Sequence, residues 1–305
     1  MEIEPFLDHP LILLNPAANR GKMELHRSLV RSKIDGEPKR YEYRETTRPG
    51  EITERAMQAA RENRPVIIVG GDGSLHEAAN GILASGTRVP LGIVPAGSGN
   101  DYACNTLKLP RDPAVAVERA FNGRLVDADA GCVNGHYFVN SCSIGLDADI
   151  AVTVGWMKKY PLMSGKRLYT LSAVLQLVLG YHRCPWLTFR LDGEQGSEVE
   201  RQYMLMAITV GPTYGAGFRI NPTADYADGL LDVCTIDWTP LPRALKLLPV
   251  VQRGEHANLP EVTFYRTQTV SIQSRQAVNI QMDGETTQVS RLNAHVLPGA
   301  LWVRI

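Results

Sequence analysis

The sequence lacks an excess of charge of either sign. Lys plus Arg number 32 and Asp plus Glu number 32, so the formal net charge at pH 7 is zero. A protein that holds nucleic acid by displacing counterions from the phosphate backbone needs a surplus of positive charge. We therefore expect no nucleic-acid partner.

Paired cysteines and long hydrophobic runs are also missing. The five cysteines are an odd number and form no C-x-x-C pair of the kind that zinc and redox sites use, which favours reduced, mostly buried thiols. Acidic residues precede the first apolar run, the reverse of a secretory signal. The longest apolar stretch, 168–181, includes polar residues and is shorter than the ~20 residues that span a bilayer. These features predict a cytoplasmic protein without a membrane span.

The chain changes texture near residue 125, which predicts two domains. Before that point, short apolar runs alternate with helical stretches, as in a doubly wound parallel sheet. The predicted strands are 11–15, 41–46, 65–70 and 90–95, and the predicted helices are 51–62 and 74–85. After it, strand-like segments joined by turns predict a mainly β domain, interrupted by helices at roughly 155–181 and 240–254.

The strongest local signal is a glycine-rich turn between an apolar strand and a helix. The turn consists of Gly70, Gly71, Asp72, Gly73 and Ser74. Glycine backbone at a helix N-terminus can surround a phosphate with N–H groups. A carboxylate there would repel the phosphate unless a divalent cation lies between them, so Asp72 predicts Mg²⁺. The alternative is a tight turn in which Asp72 caps the helix.

Polar residues follow the other predicted parallel strands as well. They are Asn15, Thr46 and the loop residues Ser98, Gly99, Asn100 and Asp101. The carboxyl ends of parallel strands share one edge of a sheet, so these residues can converge on the same ligand as the glycine turn. Helix capping by Asn100 or Asp101 is the alternative explanation of the last loop.

No Walker P-loop or G-x-G-x-x-G fingerprint occurs in the sequence. The chain instead resembles the diacylglycerol kinase catalytic-domain family, which includes bacterial lipid kinases. The resemblance rests on GGDGS, PAGSGNDYA, FVNSCSIGLDADI (138–150, read as a strand), NPTADYADGLLDV (221–233) and MDGE (282–285), which occur in the order that the family has. Ser74 and Ser98 replace family threonines, and Asn19 replaces the glycine usual in the first loop.

This resemblance implies an α/β plus mainly-β fold. A doubly wound nucleotide-binding domain would cover 1–127, with 298–305 as its possible completion, and a β-sandwich-like lipid-substrate domain would cover 128–297. The implied cofactors are ATP and Mg²⁺, and the implied substrate is a lipid with a free hydroxyl, such as diacylglycerol. The implied nucleotide-binding residues are Asn15, Thr46, Gly70, Gly71, Asp72, Gly73, Ser74, Ser98, Gly99, Asn100 and Asp101.

The resemblance also implies catalytic residues in the D-G-E turn. In the family a carboxylate of this turn takes the proton of the lipid hydroxyl, and Asp283 holds that position, with Glu285 two residues on and Asp72 at the phosphates. An alcohol that attacks a phosphate loses its proton, and a nearby carboxylate can accept it. The alternative is that D-G only forms a hairpin turn.

Two further sites are expected outside the nucleotide loops. By position in the family, Asp225, Asp228 and the Leu230 carbonyl would bind a structural metal ion, and a solvated acidic turn is the alternative. Aromatic and basic residues at 154–169 suggest transient contact with a membrane surface, so the cytoplasmic protein would associate peripherally with the membrane; an ordinary solvated helix face is the alternative.

Other functions remain open at this point. One is an NAD kinase-like enzyme that phosphorylates a ribose hydroxyl, and another is a non-catalytic nucleotide or lipid sensor of the same fold. The PAGSGND and DYADGLLDV segments favour a lipid kinase. The sequence identifies neither the acceptor lipid nor the oligomeric state, and a homodimer is possible.

Overall fold

The structure, a computed structural model, describes residues 9–37, 39–157, 165–180, 183–192 and 196–305. The chain divides into two compact units. The first consists of the chain up to Asp129 together with Gly299–Ile305, and the second of Ala130–Pro298. The side chains of 154–169, predicted to touch membrane, lie outside the described part.

The first unit alternates strands and helices. In chain order its elements are β1 (Leu11–Leu14), α1 (Glu24–Ile34), β2 (Glu42–Glu45), α2 (Glu51–Arg61), β3 (Val66–Gly70), α3 (Asp72–Ser85), β4 (Pro90–Pro95), a π-helix (Asp101–Thr106), α4 (Pro113–Asn122) and the start of β5 (Leu125–Val133). The predicted strands and helices of this half are therefore confirmed, with ends that differ by at most two residues.

All pairings that define its sheet are parallel, in the order β2-β1-β3-β4. Strands β1, β3 and β4 are buried along their whole length, because helices cover the sheet. The end of β13 (Glu285–Arg304) lies parallel to β4, where Trp302 pairs with Pro90. The final strand, which the pattern alone could not assign, thus belongs to this sheet.

The second unit is mainly β. After the end of β5 it contains β6 (His136–Phe138), β7 (Ser141–Gly145), α5 (Leu146–Met157), α6 (Gly165–Gly180), β8 (Trp186–Leu191), β9 (Gly196–Thr209), β10 (Leu231–Asp237), α7 (Leu241–Arg253), β11 (Val262–Thr267), β12 (Thr269–Met282) and most of β13. The strand order is β11-β10-β9-β7-β12-β13, and β8 also pairs with β9 and β12. The pairings of β7 to β12 are antiparallel, and two hydrophobic clusters hold the unit together.

The predicted strand at 138–150 is wrong beyond residue 145. Gly145 has φ of 101°, and a Cβ there would lie 2.5 Å from the Met204 carbonyl oxygen. Only glycine fits such a left-handed, crowded position, and the chain turns there into α5. The apolar residues that continue past Gly145 belong to a helix instead of a strand. The helices predicted at 155–181 and 240–254 are found at 146–157, 165–180 and 241–253.

All five cysteines are buried and free of disulfide bonds, as predicted. Burial in apolar surroundings raises the pKa of the Cys142 and Cys234 thiols, since it disfavours the thiolate. Among the described helices, none combines the length and hydropathy that a membrane span needs.

Candidate active site

The polar residues at the carboxyl ends of the parallel strands lie in a row. The backbone N–H of Thr46 donates to Leu14 at 3.0 Å, and that of Asn15 donates to Val69 at 3.0 Å. The N–H of Ala96 donates to Gly70 at 2.7 Å. The parallel ladders therefore continue past each strand end and place the four predicted loops side by side at one edge of the first unit's sheet.

A hydrogen bond joins the two glycine-rich loops. Asp72, the first residue of α3, accepts the backbone N–H of Asn100 through Oδ2 at 2.7 Å. The loop backbones also approach closely, because a Cβ on Gly97 would lie 2.6 Å from the Gly71 Cα. Gly71 is the N-cap residue of α3, and Asp72 is the first residue within the helix.

The glycine turn is also tied to the loop after β1. Asn15 donates from Nδ2 to the Ser74 hydroxyl at 2.9 Å and accepts the Ala17 N–H at 3.0 Å. A Cβ on Gly70 would lie 2.5 Å from Ser74 Oγ, so this crossing requires glycine. In the same loop Asn19 has φ of 47°, the left-handed backbone that asparagine tolerates.

Asn100 and Asp101 shape the loop after β4. Asn100 has φ of 57°, and its side chain bonds both backbone groups of Gly97 instead of capping the helix that follows. Asp101 is buried at the start of the π-helix and accepts Asn105 Nδ2 at 2.7 Å. Asn105 was missed in the sequence because nothing marks a π-helix there. Ser98 is exposed at the tip of the loop.

This edge suits a phosphate group and its counterion. The first-turn N–H groups of the 14-residue α3 begin next to the glycine backbone and attract anions. A Cβ on Gly99 would lie 2.8 Å from an Asp72 carboxylate oxygen and 3.9 Å from one of Asp101, so the two acids flank this glycine. Carboxylate pairs of this kind are ligands that Mg²⁺ accepts.

The D-G-E turn joins β12 to β13 in the second unit. Met282 pairs with Glu285, and the two loop residues have positive φ, 49° at Asp283 and 96° at Gly284, as in a type I′ turn. The expected hairpin therefore forms.

The Asp283 carboxylate accepts three backbone N–H groups. Oδ2 accepts Val139 at 2.8 Å, and Oδ1 accepts both Asn140 and Ser141 at 3.0 Å. The Asp283 N–H in turn donates to the Ser141 carbonyl oxygen at 2.9 Å. Asp283 thus anchors the segment between β6 and β7, whereas Glu285 is exposed.

The acidic turn after β9 carries the predicted metal ligands. Asp225 accepts the Ala227 N–H at 3.1 Å, and Asp228 accepts the Leu230 N–H at 3.0 Å and pairs with Arg266. The buried Asp232, which the sequence reading passed over, has one carboxylate oxygen without a hydrogen-bond partner. Burial, opposed by Arg266 and reinforced by Asp228 and Asp225, raises the pKa of Asp232 to about 6. Within the described residues, no group of three or more His, Cys, Asp or Glu is arranged to hold a metal ion.

Comparison with known proteins identifies the class. Residues 9–133 match the diacylglycerol kinase catalytic domain, and residues 140–305 match the YegS C-terminal NAD kinase beta sandwich-like domain. Diacylglycerol kinase of Bacillus subtilis (strain 168) is 27% identical over 276 residues, which cover 90% of this chain and 88% of that protein. A protein of Chromohalobacter salexigens named "Probable lipid kinase YegS-like" is 33% identical over 247 residues, 77% of this chain and 74% of the relative.

A solved structure shares the fold. The crystal structure of a diacylglycerol kinase from Bacillus anthracis str. Sterne superimposes with a TM-score of 0.74 at 19% identity, covering 97% of this chain and 96% of that one. The domain matches and the relatives, together with this fold, show that the protein is of the lipid kinase class. It belongs to the family that joins a diacylglycerol kinase catalytic domain to a YegS C-terminal domain, and membership of a kinase family implies the use of a nucleotide.

Proposed function

We propose that this protein transfers the γ-phosphate of ATP to the hydroxyl of diacylglycerol or a related lipid. The observation that carries the proposal is the Asp72–Asn100 hydrogen bond, which holds two glycine-rich loops together beside the N-terminus of α3. Backbone N–H groups at this position bind phosphate without side-chain specificity. The family match supplies the reaction class.

ATP would bind at the carboxyl edge of the first unit's sheet. The glycine turn would surround its phosphates, and the loop after β4 would lie beside them. Asn15 and Thr46, held in line with the turn by the strand ladders, would complete the pocket. Mg²⁺ bound at Asp72 and Asp101 would neutralise the charge that develops on the phosphate oxygens.

Glu285 is the better candidate for the group that accepts the lipid hydroxyl's proton. Asp283 already accepts three backbone N–H groups, and a carboxylate so engaged has few lone pairs left for an incoming hydroxyl. Glu285 follows directly and is exposed. We therefore assign proton transfer to Glu285 and the positioning of its turn to Asp283, whereas the resemblance places the base at Asp283.

An apolar cavity in the second unit supports a lipid acceptor. It has a volume of about 80 Å³ and lies among α5, α6, α7 and the sheet, with Ile150, Leu177, Phe218 and Leu247 in its wall. Burying an acyl chain there would contribute about 0.8 kcal/mol per methylene group. A ribose or a free nucleotide would gain nothing from such a cavity, which favours a lipid over the NAD kinase alternative.

Contact with a membrane surface would deliver the lipid. Helix α6 exposes apolar side chains along one stripe at helical spacing. They are Leu171, Val174, Leu175, Val178 and Leu179. An exposed apolar helix stripe is typical of surfaces that rest on a bilayer. We therefore place the proposed membrane contact on α6 at 171–179, after the segment 154–169 that the sequence predicts.

We propose that a structural Mg²⁺ binds at the acidic turn, where Asp225 and Asp228 would have to turn away from their present partners to enclose it. The buried Asp232 oxygen without a partner lies among carboxylates that repel it electrostatically, and Asp225, Asp228 and the Leu230 carbonyl are the proposed ligands. We expect Mg²⁺ to raise the melting temperature of the wild type and to lose this effect in Asp228→Asn. An equal shift in both proteins would rule the site out.

The catalytic assignment is tested by two isosteric variants. Glu285→Gln should lower kcat by at least about 100-fold and leave the melting temperature and ATP affinity unchanged, because only proton transfer is lost. Asp283→Asn should lower the melting temperature, since its amide group would face backbone N–H donors. If Asp283→Asn were fully stable and inactive while Glu285→Gln remained active, Asp283 would be the base.

The function itself is tested with labelled ATP and a panel of acceptors. Diacylglycerol, sphingosine, phosphatidylglycerol and NAD would each be offered to the purified protein. Labelled lipid is the expected product. Label in NAD alone would identify the NAD kinase-like enzyme, and ATP binding with no labelled product would identify a sensor.

A further inference from the structure

A buried chain of hydrogen bonds connects the D-G-E turn to the apolar cavity of the second unit. The N–H of Gly284 donates to Gln281 Oε1 at 2.8 Å. Gln281 Nε2 donates to the Ser143 hydroxyl at 3.0 Å, and this hydroxyl donates to Asp147 Oδ2 at 2.6 Å. The chain runs from the turn, across the β12–β7 pair, to the start of α5.

The three side chains of this network are shielded from solvent, whereas Gly284 at its end is exposed. The exposed fractions are 3% for Gln281, 0% for Ser143 and 8% for Asp147. Gln281 and Ser143 are direct cross-strand partners, which fixes their separation. Hydrogen bonds in such a low-dielectric setting are strong, and each broken link leaves a desolvated polar group.

The hydrogen bonds of Ser143 and Gln281 have a defined direction. The single hydrogen of the Ser143 hydroxyl points to Asp147, so its oxygen accepts from Gln281. This orients the Gln281 amide with its nitrogen towards Ser143 and its oxygen towards the Gly284 N–H. A change at Asp147 would therefore alter the hydrogen bond that holds Gly284, which lies three residues after Gln281 and one before Glu285.

Asp147 stands at the cavity end of the chain. It lines the cavity beside Leu146 and Ile150, and among the described residues of that wall it is the only ionisable one. It lies in the first turn of α5, where the helix dipole favours a carboxylate. A lipid chain entering the cavity would lower the effective dielectric around Asp147 and so strengthen the hydrogen bond that it accepts from Ser143.

We propose that Gln281 is a positioning residue that, through Ser143 and Asp147, couples occupancy of the apolar cavity to the placement of the Asp283–Gly284 turn and Glu285. The inference rests on the proposed lipid kinase function and deepens it. A substrate whose acyl chain fills the cavity holds the turn more firmly. Both kcat and KM therefore depend on the length of the acyl chain. When a short-chain acceptor reacts, the cavity is not filled and the turn is held less firmly.

The test compares Gln281→Met with wild type on dihexanoylglycerol and dioleoylglycerol in mixed micelles. Methionine preserves the length of the side chain and removes its hydrogen bonds with Gly284, Ser143 and Ser141. We expect wild type to show a higher kcat on the long-chain substrate and Gln281→Met to lose this advantage, about tenfold, with KM for ATP unchanged. The control is Gln273→Met, the same change at an exposed position of β12, which should behave as wild type.

An equal fall in kcat on both substrates, or no fall at all, would overturn the coupling and leave Gln281 a purely structural residue. If Gln281→Met does not fold, Ser143→Ala breaks the chain at its centre and is measured in the same way. Loss of the chain-length advantage supports the proposal, and its retention contradicts it.

Hydrogen exchange at the Gly284 amide separates this inference from the function on which it rests. Dioleoylglycerol micelles should slow exchange at Gly284 in wild type and have no effect in Ser143→Ala. This result would support the coupling even if no lipid were phosphorylated, in which case the proposed function alone would fail. Exchange that slows equally in both proteins would refute the coupling.

Discussion

At the scale of single residues, the geometry of the glycine-rich loops depends on close backbone approach. A Cβ on Gly97 would lie 2.6 Å from the Gly71 Cα and 2.8 Å from Asn100 Oδ1, and backbone at that distance cannot move aside cheaply. Gly73 has no atom within 4 Å of its would-be Cβ. Glycine at position 97 therefore allows the two loops to pack against each other, whereas glycine at position 73 leaves open space at the start of α3.

Alanine at these two positions should have opposite effects on the unliganded protein. Gly97→Ala should lower the melting temperature and weaken ATP binding, because the two loops separate. Gly73→Ala should stabilise the protein by up to about 1 kcal/mol, since it lies within α3. If phosphates approach Gly73 as proposed, the same variant should bind ATP more weakly. Calorimetry with and without MgATP measures both, and wild-type ATP affinity in Gly97→Ala would contradict the proposed site.

The sequence predicted which residues stand at the sheet edge but not what they bond. The sequence predicts Asp72 as a Mg²⁺ ligand and Asp283 as the catalytic base. In the structure both carboxylates accept backbone N–H groups. Those donors lie 28 and 144 residues away in sequence, so no local pattern could indicate them. Residue type and strand position are local properties, whereas hydrogen-bond partners depend on the complete fold.

At the scale of elements, the start of α2 is fixed by one carboxylate. Glu51 accepts the Thr47 N–H at 2.7 Å through Oε2, and Oε1 pairs with Arg55 at 2.7 Å. The Thr47 backbone bond first, and then Arg55, lower the pKa of Glu51 from 4.5 to about 2. This arrangement holds the loop that carries Thr46, so it positions part of the proposed nucleotide pocket.

The stabilisation by Glu51 should vanish in acid. Because the folded-state pKa is depressed, the folded protein binds fewer protons than the unfolded chain between pH 2 and 4.5. The contribution is fully present above pH 4.5 and is lost as pH falls towards 2. Glu51→Gln should therefore melt at a lower temperature than wild type at pH 7, and the two should converge near pH 2. Arg55→Gln, which keeps the hydrogen bond between Glu51 and Thr47, is the control and should retain most of the pH dependence. If the melting temperatures of wild type and Glu51→Gln differed by the same amount at every pH, the assignment would be wrong.

Element prediction succeeded where hydrophobic period and punctuation agreed. The buried runs of β1, β3 and β4 end in glycine, proline or asparagine, and all three were located within one residue. It failed at Gly145, where apolar and polar residues alternate on both sides as they would in a strand and only a crowded, left-handed backbone marks the change from β7 to α5. The π-helix after Asn100 was likewise invisible, because its hydrogen bonds depend on the loop that precedes it.

At the scale of the whole molecule, the absence of net charge bears on how the protein would meet a membrane. With 32 residues of each sign, the molecule as a whole has no net attraction to anionic lipid, so we expect apolar contact to supply most of the affinity. The apolar stripe of α6 is the surface that we propose for such a contact. Binding to vesicles should therefore depend on the stripe and only weakly on salt.

Vesicle flotation tests the stripe. Leu175→Gln combined with Leu179→Gln should reduce the fraction bound to phosphatidylcholine vesicles several-fold, while kcat on micellar short-chain substrate stays unchanged. Leu25→Gln, an exposed leucine on α1 of the first unit, is the matched control and should float as wild type does. Unchanged flotation of the double variant would show that another surface meets the bilayer.

The division into an α/β and a mainly β half was evident from the change of texture in the sequence. The family resemblance gave the order of the motifs along the chain, and the matches to two domain models agree with it. The apolar cavity and the polar chain that reaches it were not predictable, because they arise from side chains of β7, α5, α6, α7 and β12 that share no sequence pattern.

The buried, unpaired cysteines allow the opening of the folded protein to be measured by thiol modification. A thiol reagent can reach them only when the surrounding packing separates, so the rate of modification counts excursions from the folded state. Cys104 lies beside Asp101 and Cys234 lies on β10, so each unit carries its own reporter without any label being introduced. Ligands that stabilise one unit would slow the modification of its thiols selectively.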